Sequence, residues 1–166
     1  MTILADYTDA EQQLLRAAIA AAAVAISTAS PGRKEETVSE GFAAATFVLE
    51  SAPRYVEDTL VTSILVDLQE RVKAGQVFPD YLKEASAPGA GDKAMATLVQ
   101  AAALVDARAT PAEASGYKGW LLDIARVTAQ AGKEDQGFLG SGGVQVNDRE
   151  REAIAAVARA LGIPAA

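Results

Sequence analysis

Residues Val56 to Gly75 read VEDTLVTSILVDLQERVKAG, with Val56, Leu60, Ile64, Leu68 and Val72 at every fourth position. That interval keeps side chains on one face of an α-helix, whereas a half-buried strand would alternate apolar and polar residues. Gly75 closes the stripe, and glycine suits the left-handed backbone that ends many helices. The stretch is therefore predicted as a helix with one buried face.

The same period recurs on both sides. Thr8-Asp9-Ala10-Glu11 is a capping box, in which hydroxyl and carboxylate each satisfy a free N–H at a helix start. Leu15, Ile19, Ala22 and Ile26 follow at helical spacing until Ser30-Pro31-Gly32. A helix is expected over Lys34–Glu50, opened by Glu35 and Glu36, with Phe42, Thr46, Phe47 and Leu49 on its apolar side.

Downstream, Gln76 to Gly91 is expected to be a loop with one helical turn after Pro79, and Asp92 to cap a helix that turns Met95, Leu98, Val99, Ala102 and Val105 inward. Thr110-Pro111-Ala112-Glu113 joins a second capping box to proline at the first helical position, ahead of Tyr117, Trp120, Leu121, Ile124 and Val127. Gly116 and Gly119 interrupt that helix and are read as sites where another backbone comes close, or else as a kink. The last helix, Asp148 to Leu161, turns Ile154, Val157, Ala158 and Leu161 inward.

Composition agrees with this period. Alanine supplies 37 of 166 residues and Phe, Trp and Tyr together nine, which favours closely packed helices over a sheet. The expectation is all-α: a compact single domain over residues 1–166, a bundle of five to seven helices with a Gly-rich loop before the last. The helices beginning at Thr8, after Pro53 and after Thr110 are expected to form its middle.

The chain has no cysteine and no histidine, which rules out disulfides, thiolate nucleophiles, Ser-His-Asp triads, Cys/His zinc sites and His-ligated haem. A net charge of −7 disfavours nucleic-acid backbones. The run Ala17 to Ile26 is read as too short and too alanine-rich to span a bilayer, and the acidic stretch before it is unlike a signal peptide. These features are taken together as those of a cytoplasmic protein with neither a membrane nor a nucleic-acid partner.

The pattern changes at Lys133 to Val146, KEDQGFLGSGGVQV. A phosphate cradle would need a strand before the glycines and a Gly-Lys-Ser/Thr ending, and neither is present. Glu134, Asp135, Asp148 and Glu150 are candidate ligands for a hard divalent cation, although Asp148 and Glu150 also suit a helix start. Phe138, Leu139 and Val144 either pin the loop to the core or form a contact surface for a protein partner or a second copy. No arrangement of residues identifies a catalytic group.

Gly143-Val144-Gln145-Val146-Asn147-Asp148-Arg149-Glu150, followed by Ile154, Ala155, Val157, Ala158 and Leu161-Gly162, resembles the C-terminal part of TerB-like tellurite-resistance domains. The resemblance implies a compact all-helical bacterial domain linked to stress response, with divalent metal held by acidic residues such as Glu150. Gly142 stands where that pattern places an aspartate, so one expected ligand is missing. The leading expectation is a non-enzymatic interaction or structural module without a cofactor, self-associating through an alanine- and glycine-rich face. The alternatives are a TerB-like carboxylate metal-binding protein and a small-molecule binder with a pocket under the Gly-rich loop.

Overall fold

The structure, a computed structural model, describes residues 1–29, 34–76, 81–131 and 148–164, and within them the side chains of residues 34–36 and 81–82 are not described. The described residues form seven α-helices and no strand: α1 (Asp9–Ala29), α2 (Lys34–Glu50), α3 (Thr59–Lys73), α4 (Tyr81–Ala85), α5 (Ala90–Arg108), α6 (Pro111–Ala131) and α7 (Asp148–Ala160). The all-α architecture is as the sequence reading expects. The Gly-rich loop lies outside the described residues.

Helix ends follow local chemistry closely. Before α1, the Thr8 N–H donates to Glu11 Oε2 at 2.8 Å, and the Glu11 N–H to Thr8 Oγ1 at 3.4 Å. The reciprocal pair at Thr110 and Glu113 opens α6. At the end of α3, Gly75 has a φ of 74°, its N–H donates to the Val72 carbonyl, and the Gln76 N–H reaches back to Arg71. Gly162, with a φ of 67°, closes α7 in the same way. Glycine adopts this left-handed conformation without the steric cost borne by other residues.

Two helix starts differ from expectation. α3 begins at Thr59, because the Asp58 carboxylate accepts from the Val61 N–H at 2.9 Å and so caps it; Val56 lies outside the helix, 67% exposed. α5 begins at Ala90 behind Gly89, one turn of chain geometry ahead of the expected Asp92 cap.

One continuous core joins the helices. Leu15, Ala18, Ala22 and Ile26 of α1 are buried against α5 and α6, and α1 makes its most extensive contact with α5. The central pair is thus α1 and α6 with α5 alongside; α3, expected in the middle, packs mainly on α6 at the side. Leu60, Val61, Ile64, Leu65 and Leu68 carry α3's buried face, while Val72 is exposed. Alanine explains the arrangement, since rows of small side chains let α1 and α5 come close. At Gly91 a Cβ would meet Thr28 Oγ1 at 2.9 Å. Much of the alanine of α1 and α5 is buried inside the fold, while Ala96, Ala103 and Ala107 of α5 stay exposed.

By length and composition α1, at 21 residues, is long and apolar enough to cross a membrane, a longer segment than the Ala17–Ile26 run considered above. More than half of that window is buried among the other helices.

The two glycines of α6 have different roles. A Cβ on Gly116 would sit 1.8 Å from Asp58 Oδ2, whereas one on Gly119 would meet nothing within 4 Å. Gly116→Ala is expected to displace the α3 cap and lower stability by about 1–2 kcal/mol. Gly119→Ala should instead raise it by about 0.5–1 kcal/mol, through helix propensity. Urea unfolding of the two variants checks the opposite signs.

Candidate functional site

Of the residues singled out in the sequence, Glu134, Asp135, Phe138, Leu139 and Val144 lie outside the described residues. Asp148 and Glu150, both in the first turn of α7, diverge. The Asp148 side chain is fully exposed and 3.5 Å from the Arg151 guanidinium, while Glu150 is buried. Residues two apart on a helix face nearly opposite ways, so these two cannot converge on one ion from the helix alone. Among the described residues no group of three or more acidic side chains is arranged to hold a metal ion.

The most concentrated polar chemistry lies at the other end of the molecule, around Glu113. Its Oε1 accepts from the Thr2 N–H at 2.7 Å and from the Thr59 hydroxyl at 2.7 Å. Its Oε2 accepts from the Thr2 hydroxyl at 3.1 Å and from the Thr110 N–H and hydroxyl at 3.1 and 2.8 Å. Burial by itself raises the carboxyl's pKa; the hydrogen bonds from Thr2, Thr59 and Thr110 outweigh it and hold the group well below the usual carboxylate range. Asp58 nearby moves the other way, raised first by burial and then by the Glu113 charge, with the Val61 N–H opposing.

Such divergence between two carboxyls is the pattern of acid and base partners in some active sites. Here, however, both Glu113 oxygens are saturated by donors from the N-terminal segment, α3 and the Thr110 cap that precedes α6. The cluster ties three chain segments together and leaves no lone pair directed at a substrate. Sequence reading identifies Glu113 only as half of a capping box.

Most of the remaining buried polar groups are also engaged internally, the buried Tyr7 hydroxyl being the exception among the described residues. Tyr117 donates to the Leu15 carbonyl at 2.8 Å, joining α6 to α1. Trp120 Nε1–H donates to Ser51 Oγ at 3.1 Å, and Tyr55 donates to Asp123 Oδ2 at 2.6 Å. Burial, followed by the Asp123 carboxylate, pushes the Tyr55 phenol above its ordinary value. Ser27 of α1 donates to the buried Glu40 of α2.

A cleft of about 470 Å³ opens between the end of α1, the start of α5 and α7. Alanine and glycine dominate its walls, with Met95 at one side. Its polar lining is Thr28, whose hydroxyl is already bonded to the Val24 carbonyl, and Asp92. Binding pockets with orienting chemistry carry several convergent polar groups, which this one lacks.

The outer face of α2 is different in kind. Phe42 is 74% exposed, Val38 54% and Leu49 38%. The inward face of this helix is instead Glu40, Ala44 and Val48, with Phe47 half-buried, so the expected apolar side is corrected at Phe42 and Leu49. Val99 of α5 also points outward, flanked one turn either side by the small exposed Ala96 and Ala103 and by no larger exposed apolar residue of that helix. The signal for the α2 face was present in the intervals of Val38, Phe42, Ala45 and Leu49: four, three and four residues. At 100° per residue these four side chains occupy an arc of only about 60°.

Compared with protein-family models, curated proteins and solved structures, the chain has no match.

Proposed function

We propose that the chain is a non-enzymatic helical interaction module, cytoplasmic in setting, whose working surface is the outer face of α2. The observation that supports this is Phe42, three-quarters exposed and aligned with Val38 and Leu49 along one side of a helix. Exposed single apolar residues are ordinary, but a contiguous stripe containing an aromatic ring is characteristic of contact surfaces. None of the described groups with displaced pKa values lines the cleft, which favours binding over catalysis. A bacterial stress-response role is what the TerB-like resemblance adds.

Photo-crosslinking in the native host tests the reading, with benzoylphenylalanine at position 42 and, as control, at position 99, which is about half exposed. Adducts from position 42 and few from position 99 are the expected result. No adduct from position 42 would contradict it.

A second reading, the TerB-like divalent-cation site, is favoured by the burial of the acidic Glu150 at the start of α7. Calorimetric titration with Ca²⁺, Mg²⁺ and Mn²⁺ should then show saturable heat that Glu150→Ala diminishes. Absence of heat for all three ions would remove this reading.

A further inference from the structure

We propose that Trp120 and Tyr55 form a one-electron relay, in which an oxidised Trp120 is restored by Tyr55 while Asp123 takes the phenolic proton. The inference goes beyond the contact surface on α2 and stands independently of it. Trp120, the only tryptophan, is fully buried, and among the described residues two tyrosine rings lie against it: Tyr55 with centroids 6.4 Å apart and Tyr117 at 6.3 Å. Electron transfer between rings this close is fast, so distance does not choose between the two. Their hydrogen bonds do.

A phenol that loses an electron becomes a strong acid, and near neutral pH the loss is favourable only if the proton leaves with it. The proton needs a base within hydrogen-bond reach. Tyr55 donates to Asp123 Oδ2 at 2.6 Å, and a carboxylate can accept the proton. Tyr117 donates at 2.8 Å to the Leu15 carbonyl, an amide oxygen far too weak a base to take it. Trp120 is placed like Tyr117: its Nε1–H donates to the Ser51 hydroxyl, which itself donates to the Val48 carbonyl, so no base receives the indole proton. An oxidised Trp120 therefore keeps its charge and its oxidising strength until Tyr55 reduces it.

The setting of Tyr55 suits the outer end of such a relay. Its ring is half-buried in the segment between α2 and α3, whereas Trp120 and Tyr117 are sealed from solvent, so of the three it alone is open to a reductant in solution. Burial, then the hydrogen bond to Asp123, holds the phenol above its ordinary pKa, and it rests in the protonated, donating form. The Asp123 side chain is 37% exposed, with Arg126 on its other oxygen at 3.0 Å, and can pass the proton on to water.

Electrons and protons balance through the cycle. A one-electron oxidant of the oxygen-radical class removes an electron from Trp120 and leaves an indole radical cation. Tyr55 supplies one electron to Trp120 as its O–H bond breaks and the proton bonds to Asp123. The products are an intact indole, a neutral phenoxyl radical and a protonated carboxyl. A hydrogen-atom donor such as ascorbate restores Tyr55, and Asp123 releases its proton to water. The sum is one electron passed from ascorbate to the oxidant, with the buried indole unchanged.

Pulsed photo-ionisation at the red edge of tryptophan absorption, where tyrosine does not absorb, generates the Trp120 radical in the full chain. Transient absorption should show it decaying as a tyrosyl radical appears, in a first-order step independent of protein concentration. Tyr55→Phe should abolish the tyrosyl signal, and Asp123→Asn, which keeps the shape and removes the base, should slow the step by roughly tenfold or more. Tyr117→Phe should leave the rate as it is, and circular dichroism checks that each variant is folded. Under continuous illumination with ascorbate present, Tyr55→Phe should lose Trp120 fluorescence faster than the native protein. A Trp120 radical that persists in the native chain, a rate indifferent to Asp123→Asn, or a tyrosyl signal lost in Tyr117→Phe would overturn the proposal.

Discussion

Replacing Glu113 by alanine is expected to destabilise the protein by on the order of 3–4 kcal/mol, measured by urea unfolding. The substitution removes half of the α6 capping box, which contributes about 1 kcal/mol. It also leaves donors from Thr2 and Thr59 without their acceptor in a largely buried site, and hydrogen bonds to a charged group contribute about 1.5–3 kcal/mol. With thermal midpoints moving about 2–4 °C per kcal/mol in a domain of this size, the variant should melt roughly 10 °C lower.

Glu113→Gln separates charge from shape. The Glu113 carboxyl is held below its ordinary value, so its contribution is fully present above the unfolded-state value and is lost as pH falls toward the folded one. Stability of the native protein should therefore decline on acidification below the ordinary carboxylate range, and the glutamine variant should show a shallower decline. Asp58, raised in the folded state, acts in the opposite sense: its contribution is present below its unfolded value and lost as pH rises through the folded one. An acid slope unchanged in Glu113→Gln would show that the hydrogen bonds to Glu113 do not govern it.

Trp120→Ala should have the larger effect, about 3–5 kcal/mol, the range for deleting a large aromatic side chain from a core. Trp120 is fully buried, lies edge-on to Tyr55 with centroids 6.4 Å apart, and sits 6.3 Å from Tyr117. It is the only tryptophan, so circular dichroism must report unfolding in the variant. Trp120→Phe retains a ring but not the N–H to Ser51, whose hydroxyl still donates to the Val48 carbonyl at 2.9 Å. A smaller loss, about 1–2 kcal/mol, is expected for it.

Much of the fold was legible because helix ends are written locally. The capping boxes at Thr8 and Thr110, the Gly75 terminus and both bounds of α2 depend on residues within one turn, and the structure bears them out. Which way each helix faces was less legible. Alanine surrounds α1, α2 and α5 so evenly that a stripe of larger apolar residues does not mark the inner side. In α2 the core takes Ala44 and Val48 and leaves Phe42 outside.

The same ambiguity put α3 in the middle, on the strength of the cleanest stripe, although small residues gave α5 the closer approach to α1. Glu113 was visible as a cap but not as a clamp, because its other donors come from Thr2 and Thr59, 111 and 54 residues away. Gly116 was legible as a close approach, though not its contact with the Asp58 cap.

If the outer face of α2 is the working surface, a partner met in the native host should be captured from that face. Benzoylphenylalanine at position 42, three-quarters exposed, compared with the same group at position 99, makes the measurement directly. Adducts concentrated at position 42, and lost when Val38 and Leu49 are both replaced by serine, are the predicted result. Adducts no more frequent from position 42 than from position 99 would contradict it.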